Sequence, residues 1–220
     1  MRLHLKTTES LFLMDFNYQK KLTGVIHKWL GVNNKEHGNT SLYSFSWLYN
    51  VVVENNRLIC PRGANWFVSF HEMSRAKDVL EAIRQSPAMF NDLIVKEVVI
   101  QEDPDFENKE LFLTASPILI KRPIDSGATE YLYDNPDCGK LMEETLRTKM
   151  KIAGLPDDET LHIEFDLSYA KKKTKLVWYG NISNRANMCP VIIQGTNLTK
   201  QFAWNVGLGN CTGIGFGSIY

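Results

Sequence analysis

The amino-acid sequence predicts an α+β fold built from two tandem ferredoxin-like (βαββαβ) domains, the second of them decorated. Its 220 residues, 44% of them hydrophobic, can bury one large core or two cores of about 100 residues each. Short stretches that alternate apolar and polar residues are interleaved with stretches of helical spacing, which indicates both strands and helices. The order strand, helix, strand, strand, helix, strand recurs, so we expect an N-terminal domain over residues 1–108 and a C-terminal domain over residues 109–220.

The first half carries the clearer pattern. Leu3 and Leu5 alternate with polar neighbours, which is typical of a half-buried strand. Apolar residues at helical spacing predict a helix over residues 15–29 that Gly31 closes, and Ser74 caps a second helix. Further strands are predicted at residues 42–47, 51–53, 66–70 and 93–100.

The second half repeats this order more loosely after an acidic stretch. Six acidic residues and Pro104 occupy the interval from Glu97 to Glu110, which is typical of a domain boundary or of an acidic outer hairpin. A helix is predicted over residues 138–153, and residues 196–205 predict a short helix or a turn. Strands are predicted at residues 111–115, 118–120, 161–167, 176–179 and 190–195.

Composition narrows the class of protein. The 25 basic and 25 acidic residues cancel, which is a mild argument against nucleic-acid binding, although a local basic patch would suffice for it. Cysteines 60, 138, 189 and 211 are far apart and form no Cys-x-x-Cys pair, so we expect buried or incidental thiols and neither a zinc site nor disulfides. The N-terminus lacks the apolar core of a signal peptide, and no apolar run reaches membrane-spanning length. We expect a cytoplasmic protein with no membrane partner, no cofactor and no metal.

The last fourteen residues are rich in glycine. Gly207, Gly209, Gly213, Gly215 and Gly217 lie within eleven positions. Glycine loses more backbone entropy on folding than any other residue, so a cluster usually marks close approach of the main chain to another group, often a phosphate. The alternation over residues 212–219 also predicts a strand with glycine on one face.

At these residues the sequence resembles a known family. Gly207-Leu-Gly-Asn-Cys-Thr-Gly-Ile-Gly-Phe-Gly-Ser-Ile resembles the C-terminal glycine-rich loop of the RAMP superfamily of CRISPR systems, in the form found in the repeat-processing endoribonucleases. Ser116-Pro-Ile-Leu-Ile resembles the strand that opens the second domain in that family, and Leu42-Tyr-Ser-Phe-Ser46-Trp-Leu resembles the strand after its first helix. His37 occupies the place where many members keep a catalytic histidine.

The resemblance implies two tandem ferredoxin-like domains of the RNA-recognition-motif type and a metal-independent endoribonuclease. Such an enzyme cuts precursor CRISPR RNA within each repeat by attack of a ribose 2′-hydroxyl, leaving a 2′,3′-cyclic phosphate and a 5′-hydroxyl. The implied partner is CRISPR repeat RNA, both precursor and mature. Association with other effector subunits and formation of a homodimer stay open. The alternative is a non-catalytic guide-RNA-binding subunit of the same superfamily.

His37 is the leading catalytic candidate, because an imidazole with a pKa near 6.5 can move a proton in either direction. The competing interpretation is a solvated loop histidine. His27, on the preceding predicted helix and one turn before the loop that contains His37, either shares the pocket of His37 or decorates the surface. The family's tyrosine–histidine–lysine trio is matched imperfectly: Lys35 precedes His37 instead of following it, and Tyr43 either donates a hydroxyl or simply packs. Histidines 4, 71 and 162 fall within strand patterns and are interpreted as sheet-face residues.

Two further features are candidates for RNA binding. Lys171, Lys172, Lys173 and Lys175 are predicted to form a hairpin tip, which serves either solubility or contact with a phosphate backbone. The five glycines of the C-terminal segment offer backbone N–H groups to RNA, or they pack against a neighbouring sheet. Arg147, Lys149 and Lys151 share a helix with acidic residues and are interpreted as a solvated face.

Overall fold

The structure of the protein is a computed structural model that describes residues 1–31, 40–125 and 127–220. The elements of the first half are β1 (Arg2–Thr7), β2 (Ser10–Met14), α1 (Gln19–Leu30), β3 (Tyr43–Phe45), β4 (Val52–Glu54), β5 (Arg57–Cys60), β6 (Asn65–Phe70), α2 (Met73–Gln85) and β7 (Val95–Gln101). No helix among the described residues is long and apolar enough to cross a membrane.

The main sheet of the first half has the strand order β3-β6-β1-β7, and its neighbouring strands are antiparallel. Leu3 of β1 pairs with Val68 of β6 on one side and with Ile100 of β7 on the other. This order is the one that a βαββαβ chain makes when its first strand lies inside the sheet. Because strand side chains alternate, Leu3 and Leu5 join the core under α1 and α2, while Arg2 and His4 lie on the opposite face.

A small second sheet, with the order β2-β5-β4, was not predicted as a unit. The predicted helix over residues 15–29 begins four residues later than expected, at Gln19. Residues 10–14 form β2, which pairs with β5, and Phe16 is exposed. Phe16 therefore does not belong to the apolar stripe of α1, which consists of Leu22, Val25, Ile26 and Trp29.

The second half has its own core, and the strands of its described residues are distributed over three small sheets. Its elements are β8 (Leu111–Phe112), β9 (Lys121–Ile124), β10 (Gly127–Glu130), α3 (Cys138–Ile152), β11 (His162–Phe165), β12 (Lys173–Tyr179), β13 (Ile182–Met188), β14 (Val191–Gln194) and α4 (Asn197–Val206). Strands β11, β14 and β8 form one sheet, and the pairs β9–β10 and β12–β13 are hairpins. The predicted α+β class with tandem ferredoxin-like domains and a decorated second domain is confirmed. Phe106 packs with the second core, and the boundary between residues 108 and 109 stays a prediction.

Three local predictions in the second half are wrong. Residues 118–120 form no strand; Ile118 and Leu119 make isolated bridges to Asn187 and Asn210. The lysines at residues 171–175 do not form a hairpin tip, because β12 begins at Lys173 and the chain turns back at residues 180–181. The C-terminal glycine segment is not a strand.

The C-terminal glycine segment runs from the end of α4 through a 3₁₀ turn (Thr212–Ile214) and then alongside the second core. The backbone φ is positive at Gly207, Gly209, Gly215 and Gly217, with values between +69° and +96°. An L-residue rarely adopts such angles, and a strand does not contain them. The regular alternation of glycine therefore reflects a sequence of turns.

Candidate RNA-processing cleft

A cleft of about 550 Å³ lies where the first half meets α3 and the glycine segment. The first half contributes Thr40 and Ser41, which directly follow the undescribed residues 32–39. The second half contributes the rest of the described lining, namely Arg122, Glu144, Thr145, Thr148, Lys149, Gly209, Asn210, Cys211 and Thr212.

Lys149 reaches the cleft from α3 because of its helical register. Thr145, Thr148 and Lys149 are spaced by three or four residues and share one face of the helix. Leu146 and Met150 lie beside that face and fill the second core. Lys149 is consequently 3% exposed. The interpretation of Lys149 as part of a solvated face is wrong, whereas Lys151 is exposed as expected.

The ammonium group of Lys149 is held by neutral acceptors. Its Nζ donates to the carbonyl oxygens of Val206 and Gly207 at 3.0 and 3.3 Å and to Thr212 Oγ1 at 3.0 Å. Val206 is the last residue of α4, where the helix dipole favours a cation. Burial nevertheless lowers the pKa of Lys149 to about 7, with an opposing contribution from Cys211. The cleft wall thus carries a cation that titrates near neutral pH.

Arg122 supplies a second cation. Its Nη2 donates to the Leu141 carbonyl at 2.8 Å and to Thr145 Oγ1 at 3.3 Å, which fixes the guanidinium against α3. The same nitrogen lies 3.3 Å from Glu144 Oε2. The side chain is 25% exposed, so its charge is partly offset by Glu144 and partly available to an anion.

The predicted catalytic residues fall in three places. His37 and Lys35 lie outside the described residues. His27 lies in the last turn of α1 and is half-buried. Tyr43 is buried at the start of β3, where its hydroxyl donates to the Gly213 carbonyl at 3.0 Å and its ring stacks on Phe70.

The other histidines make local contacts. His4 Nε2 lies 2.6 Å from Gln101 Oε1, and His162 Nδ1 lies 3.0 Å from Glu143 Oε1 on the exposed surface of β11. The ring of His71 packs edge-on against Phe202, and burial lowers its pKa. The described lining of the cleft includes none of these three histidines.

The four candidate RNA-binding lysines lie at the base of the β12–β13 hairpin. Lys171 and Lys173 are exposed and Lys172 is half-buried. Lys175 Nζ lies 5.3 Å from the centre of the Trp47 ring, and burial lowers its pKa, with a further contribution from Lys173. The described lining of the cleft contains none of the four. They form a separate basic strip on the second half.

The five candidate glycines are buried, and close packing accounts for them. A Cβ on Gly209 would overlap the Leu119 carbonyl oxygen, and one on Gly217 would overlap the Leu208 carbonyl oxygen. A Cβ on Gly213 would overlap Ser41 Oγ, and Gly215 lies against the Phe45 ring. Gly209 also lines the cleft. The segment therefore packs the two halves together and forms one wall of the cleft.

A larger cavity of about 780 Å³ lies on the opposite face of the main sheet, between the two halves. Its lining includes Arg2, His4 and Phe67 of the sheet, together with Lys109 and Trp204. The Arg2 guanidinium lies 3.8 Å from the centre of the Phe67 ring and 3.5 Å from that of Trp204. This cavity combines aromatic faces with cationic side chains.

The family model for the C-terminal part of the CRISPR associated protein Cas6 matches residues 100–220. The chain belongs to the Cas6 family. The match spans α3, α4 and the glycine segment, and it covers the described cleft residues other than Thr40 and Ser41. The predicted membership of the repeat-processing branch of the RAMP superfamily is confirmed.

Solved structures extend the likeness to the whole chain. A structure from a Cas6-related gene of Pyrococcus furiosus superposes with a TM-score of 0.85 at 18% identity, covering 100% of this chain and 97% of that one. A RAMP protein described as binding different RNA substrates gives a TM-score of 0.83, and a CRISPR associated protein Cas6 gives 0.82, each at 18% identity and covering 100% of this chain and 98% of the other. At such identity these structures show a shared fold. A comparison with curated protein sequences gives no match.

Sequence reasoning missed Arg122 and Lys149 as residues of the cleft. Lys149 left a signal, since it falls three residues after Leu146 and next to Met150, on the edge of the apolar stripe of α3. A lysine at such a position must either reach solvent or find buried acceptors. Arg122 left none, because its partners on α3 are about twenty residues away in the chain.

Proposed function

We propose that this Cas6-family protein is a metal-independent endoribonuclease that cuts precursor CRISPR RNA within its repeats in the cytoplasm. The observation that carries the proposal is the cleft between the halves, with Arg122 and Lys149 on one side. Thr40 and Ser41, next to the segment that contains His37, form the other side. The cleft therefore offers cations for an RNA phosphate close in sequence to a group that can transfer protons.

The proposed reaction needs no cofactor. The ribose 2′-hydroxyl attacks the adjacent phosphorus, a general base accepts the hydroxyl proton, and a general acid protonates the departing 5′ oxygen. The products are a 2′,3′-cyclic phosphate and a 5′-hydroxyl. We assign His37 one of the two proton transfers, because a histidine can act as acid or base near neutral pH. His27, Lys35 and Tyr43 are the proposed assisting residues.

RNA on both sides of the cut requires a path beyond the cleft. We propose that Lys171, Lys172, Lys173 and Lys175 contact the phosphate backbone, which would make affinity fall as salt rises. The glycine segment borders the path where Gly209, Asn210, Cys211 and Thr212 line the cleft.

A second candidate function is a non-catalytic guide-RNA-binding subunit of the same superfamily. The contact of Tyr43 favours it, because a hydroxyl that donates to the buried Gly213 carbonyl is directed toward packing. Both candidates bind CRISPR repeat RNA. Association with other effector subunits and homodimer formation are further proposals that the same purified protein can test.

One experiment separates the two functions. The purified protein is incubated with RNA containing one repeat of its own CRISPR array in the presence of EDTA. We expect a single cut with a 2′,3′-cyclic phosphate end, and at least a hundredfold loss of rate in His37→Ala, since one proton-transfer group contributes about 10²–10⁴-fold.

His162→Ala is the matched control, because that histidine is exposed and pairs only with Glu143 among the contacts described. It should cut at the wild-type rate. Binding without cleavage would favour the non-catalytic subunit, and cleavage that requires Mg²⁺ would overturn the metal-independent mechanism.

A further inference from the structure

Among the described residues, the hydrogen-bond partners of Lys149 include no carboxylate. The three acceptors of its Nζ are two backbone carbonyls and the Thr212 hydroxyl. These groups satisfy the N–H donors, but their partial charges do not neutralise the ammonium. A buried cation in this position remains costly to keep charged.

The described residues around Lys149 place no unpaired carboxylate in the cleft. On α3, Glu144 pairs with Arg122 of β9. Lys121, the first residue of β9, lowers the pKa of Cys211, although burial raises that pKa more strongly. The described residues that the first half contributes, Thr40 and Ser41, bring hydroxyls. A negatively charged ligand in the cleft would consequently stabilise the charged form of Lys149.

We propose that RNA binding in this cleft is coupled to protonation of Lys149, so that the protein takes up a proton from solvent when an RNA phosphate enters. The proposal rests on the proposed RNA-binding function and concerns how the cleft generates its charge. Lys149 acts here as a positioning residue: it holds the glycine segment through Val206, Gly207 and Thr212, and its charge attracts the backbone.

The direction of the pH dependence follows from linkage. The pKa of Lys149 is about 7 in the protein without RNA, so the ammonium is largely present at pH 6 and largely absent at pH 8. A phosphate raises that pKa, and proton uptake is therefore greatest above pH 7. Where uptake approaches one proton, affinity falls by up to about tenfold for each pH unit.

The test uses full-length His37→Ala protein, which prevents cleavage by the proposed mechanism and removes the titration of His37. Its binding to repeat RNA is measured by calorimetry in two buffers of different ionisation enthalpy, at pH 6 and at pH 8. We expect uptake of close to one proton per RNA at pH 8 and much less at pH 6. Introducing Lys149→Met into the His37→Ala protein should abolish the difference in proton uptake between pH 6 and pH 8. It should also weaken RNA binding at pH 6 about tenfold.

Two variants separate charge from structure. Lys151→Met removes an exposed lysine from the same helix and should leave proton uptake unchanged. Thr212→Val removes one acceptor of Nζ but keeps the charge, so uptake should persist even if stability falls. Equal uptake with and without Lys149 would overturn the proposal.

The His37→Ala protein, which keeps Lys149, provides a test that does not depend on whether the Lys149→Met variant folds. Binding by His37→Ala with no proton uptake at pH 8 would overturn this inference alone. Failure of the wild-type protein to bind repeat RNA would overturn both this inference and the proposed function. Binding by a wild type that does not cleave would overturn only the enzymatic role.

Discussion

Glycines in the C-terminal segment meet two different physical requirements. At Gly217 and Gly209 the backbone has positive φ, and a Cβ would also overlap a neighbouring carbonyl oxygen. At Gly213 the φ is not in the left-handed region, and only the contact with Ser41 and Tyr43 excludes a side chain. These positions are therefore constrained by packing whether or not RNA is bound.

Gly217→Ala should be among the most damaging single-methyl additions in the chain. Positive φ costs an L-residue about 1–2 kcal/mol, and the overlap with the Leu208 carbonyl adds about 1–3 kcal/mol. We expect the free energy of unfolding to fall by roughly 3 kcal/mol in urea denaturation. Gly154→Ala is the matched control, since its φ is +71° and a Cβ there would meet nothing within 4 Å. An equal loss in both variants would show that strain alone matters.

At the scale of elements, α4 is anchored by a buried carboxylate before its first turn. Asp158 Oδ2 accepts from Thr196 N at 2.7 Å and from Thr199 Oγ1 at 2.6 Å. Its Oδ1 accepts from Thr160 N at 3.0 Å and from Thr160 Oγ1 at 2.6 Å. Thr196 in turn caps α4 by accepting from Thr199 N. Because α4 ends at the acceptors of Lys149, this anchor also orients one wall of the cleft.

Asp158 should make stability depend on pH in the acid range. Burial raises its pKa, but hydrogen bonds from Thr160, Thr199 and Thr196 outweigh burial and hold the pKa well below its usual range. A lowered folded-state pKa gives stabilisation that is present above the unfolded pKa of about 3.9 and is lost as pH falls through the folded value. We expect Asp158→Asn to lose about 1–3 kcal/mol at pH 7 and to show a weaker further loss below pH 4.

Asp157→Asn is the control for that prediction. Asp157 is exposed and pairs with Arg147, and such surface pairs contribute about 0–1 kcal/mol. The two variants can be compared by urea unfolding between pH 3 and pH 7. If the free energy of unfolding changed with pH in the same way in wild type and Asp158→Asn, Asp158 would not be the source of the acid sensitivity.

At the scale of the whole molecule, Arg2 connects the two halves. Its guanidinium donates to Ser69 Oγ at 2.6 Å within the main sheet. It also donates to the carbonyls of Trp204 and Ile219 at 2.9 and 2.8 Å, at the end of α4 and of the glycine segment. Trp47 Nε1 adds a second link, to the Gly215 carbonyl at 2.9 Å. The buried Arg2 thus joins both halves beside the larger cavity.

Arg2→Met should destabilise the junction, because it leaves two buried carbonyls without their donor and removes both ring contacts. We expect the free energy of unfolding to fall by about 2–4 kcal/mol. If the two halves no longer unfold together, the urea unfolding transitions followed by tryptophan fluorescence and by circular dichroism should have different midpoints. Arg2→Lys keeps the positive charge but lacks the planar guanidinium, so its free energy of unfolding should lie between those of wild type and Arg2→Met. An unchanged midpoint for Arg2→Met would exclude a role in coupling.

Sequence patterns predicted the elements that carry a repeating apolar face. Helices α1, α2 and α3 and strand β1 were found because their apolar residues recur at intervals of two or of three to four. Strand β6 was found from its alternating sequence, although five of its six residues are buried. The predicted strands do not cover β2, β5, β9, β10 or β13, since little regular alternation of apolar and polar residues marks these segments. The glycine segment was predicted to be a strand, because alternation alone does not distinguish a pleat from consecutive turns.

By itself, the sequence determined the α+β class, the tandem ferredoxin-like order and, through the glycine segment with Ser116-Pro117 and the Tyr43 strand, the family. Those properties are encoded in local periodicity and in short contiguous motifs. Only the tertiary structure decided that Lys149 is buried, that Arg122 lies against α3 and that both line a cleft opposite Ser41. The physical reason is that a lysine's burial, and hence its pKa, depends on acceptors some sixty positions away in the chain, such as Thr212.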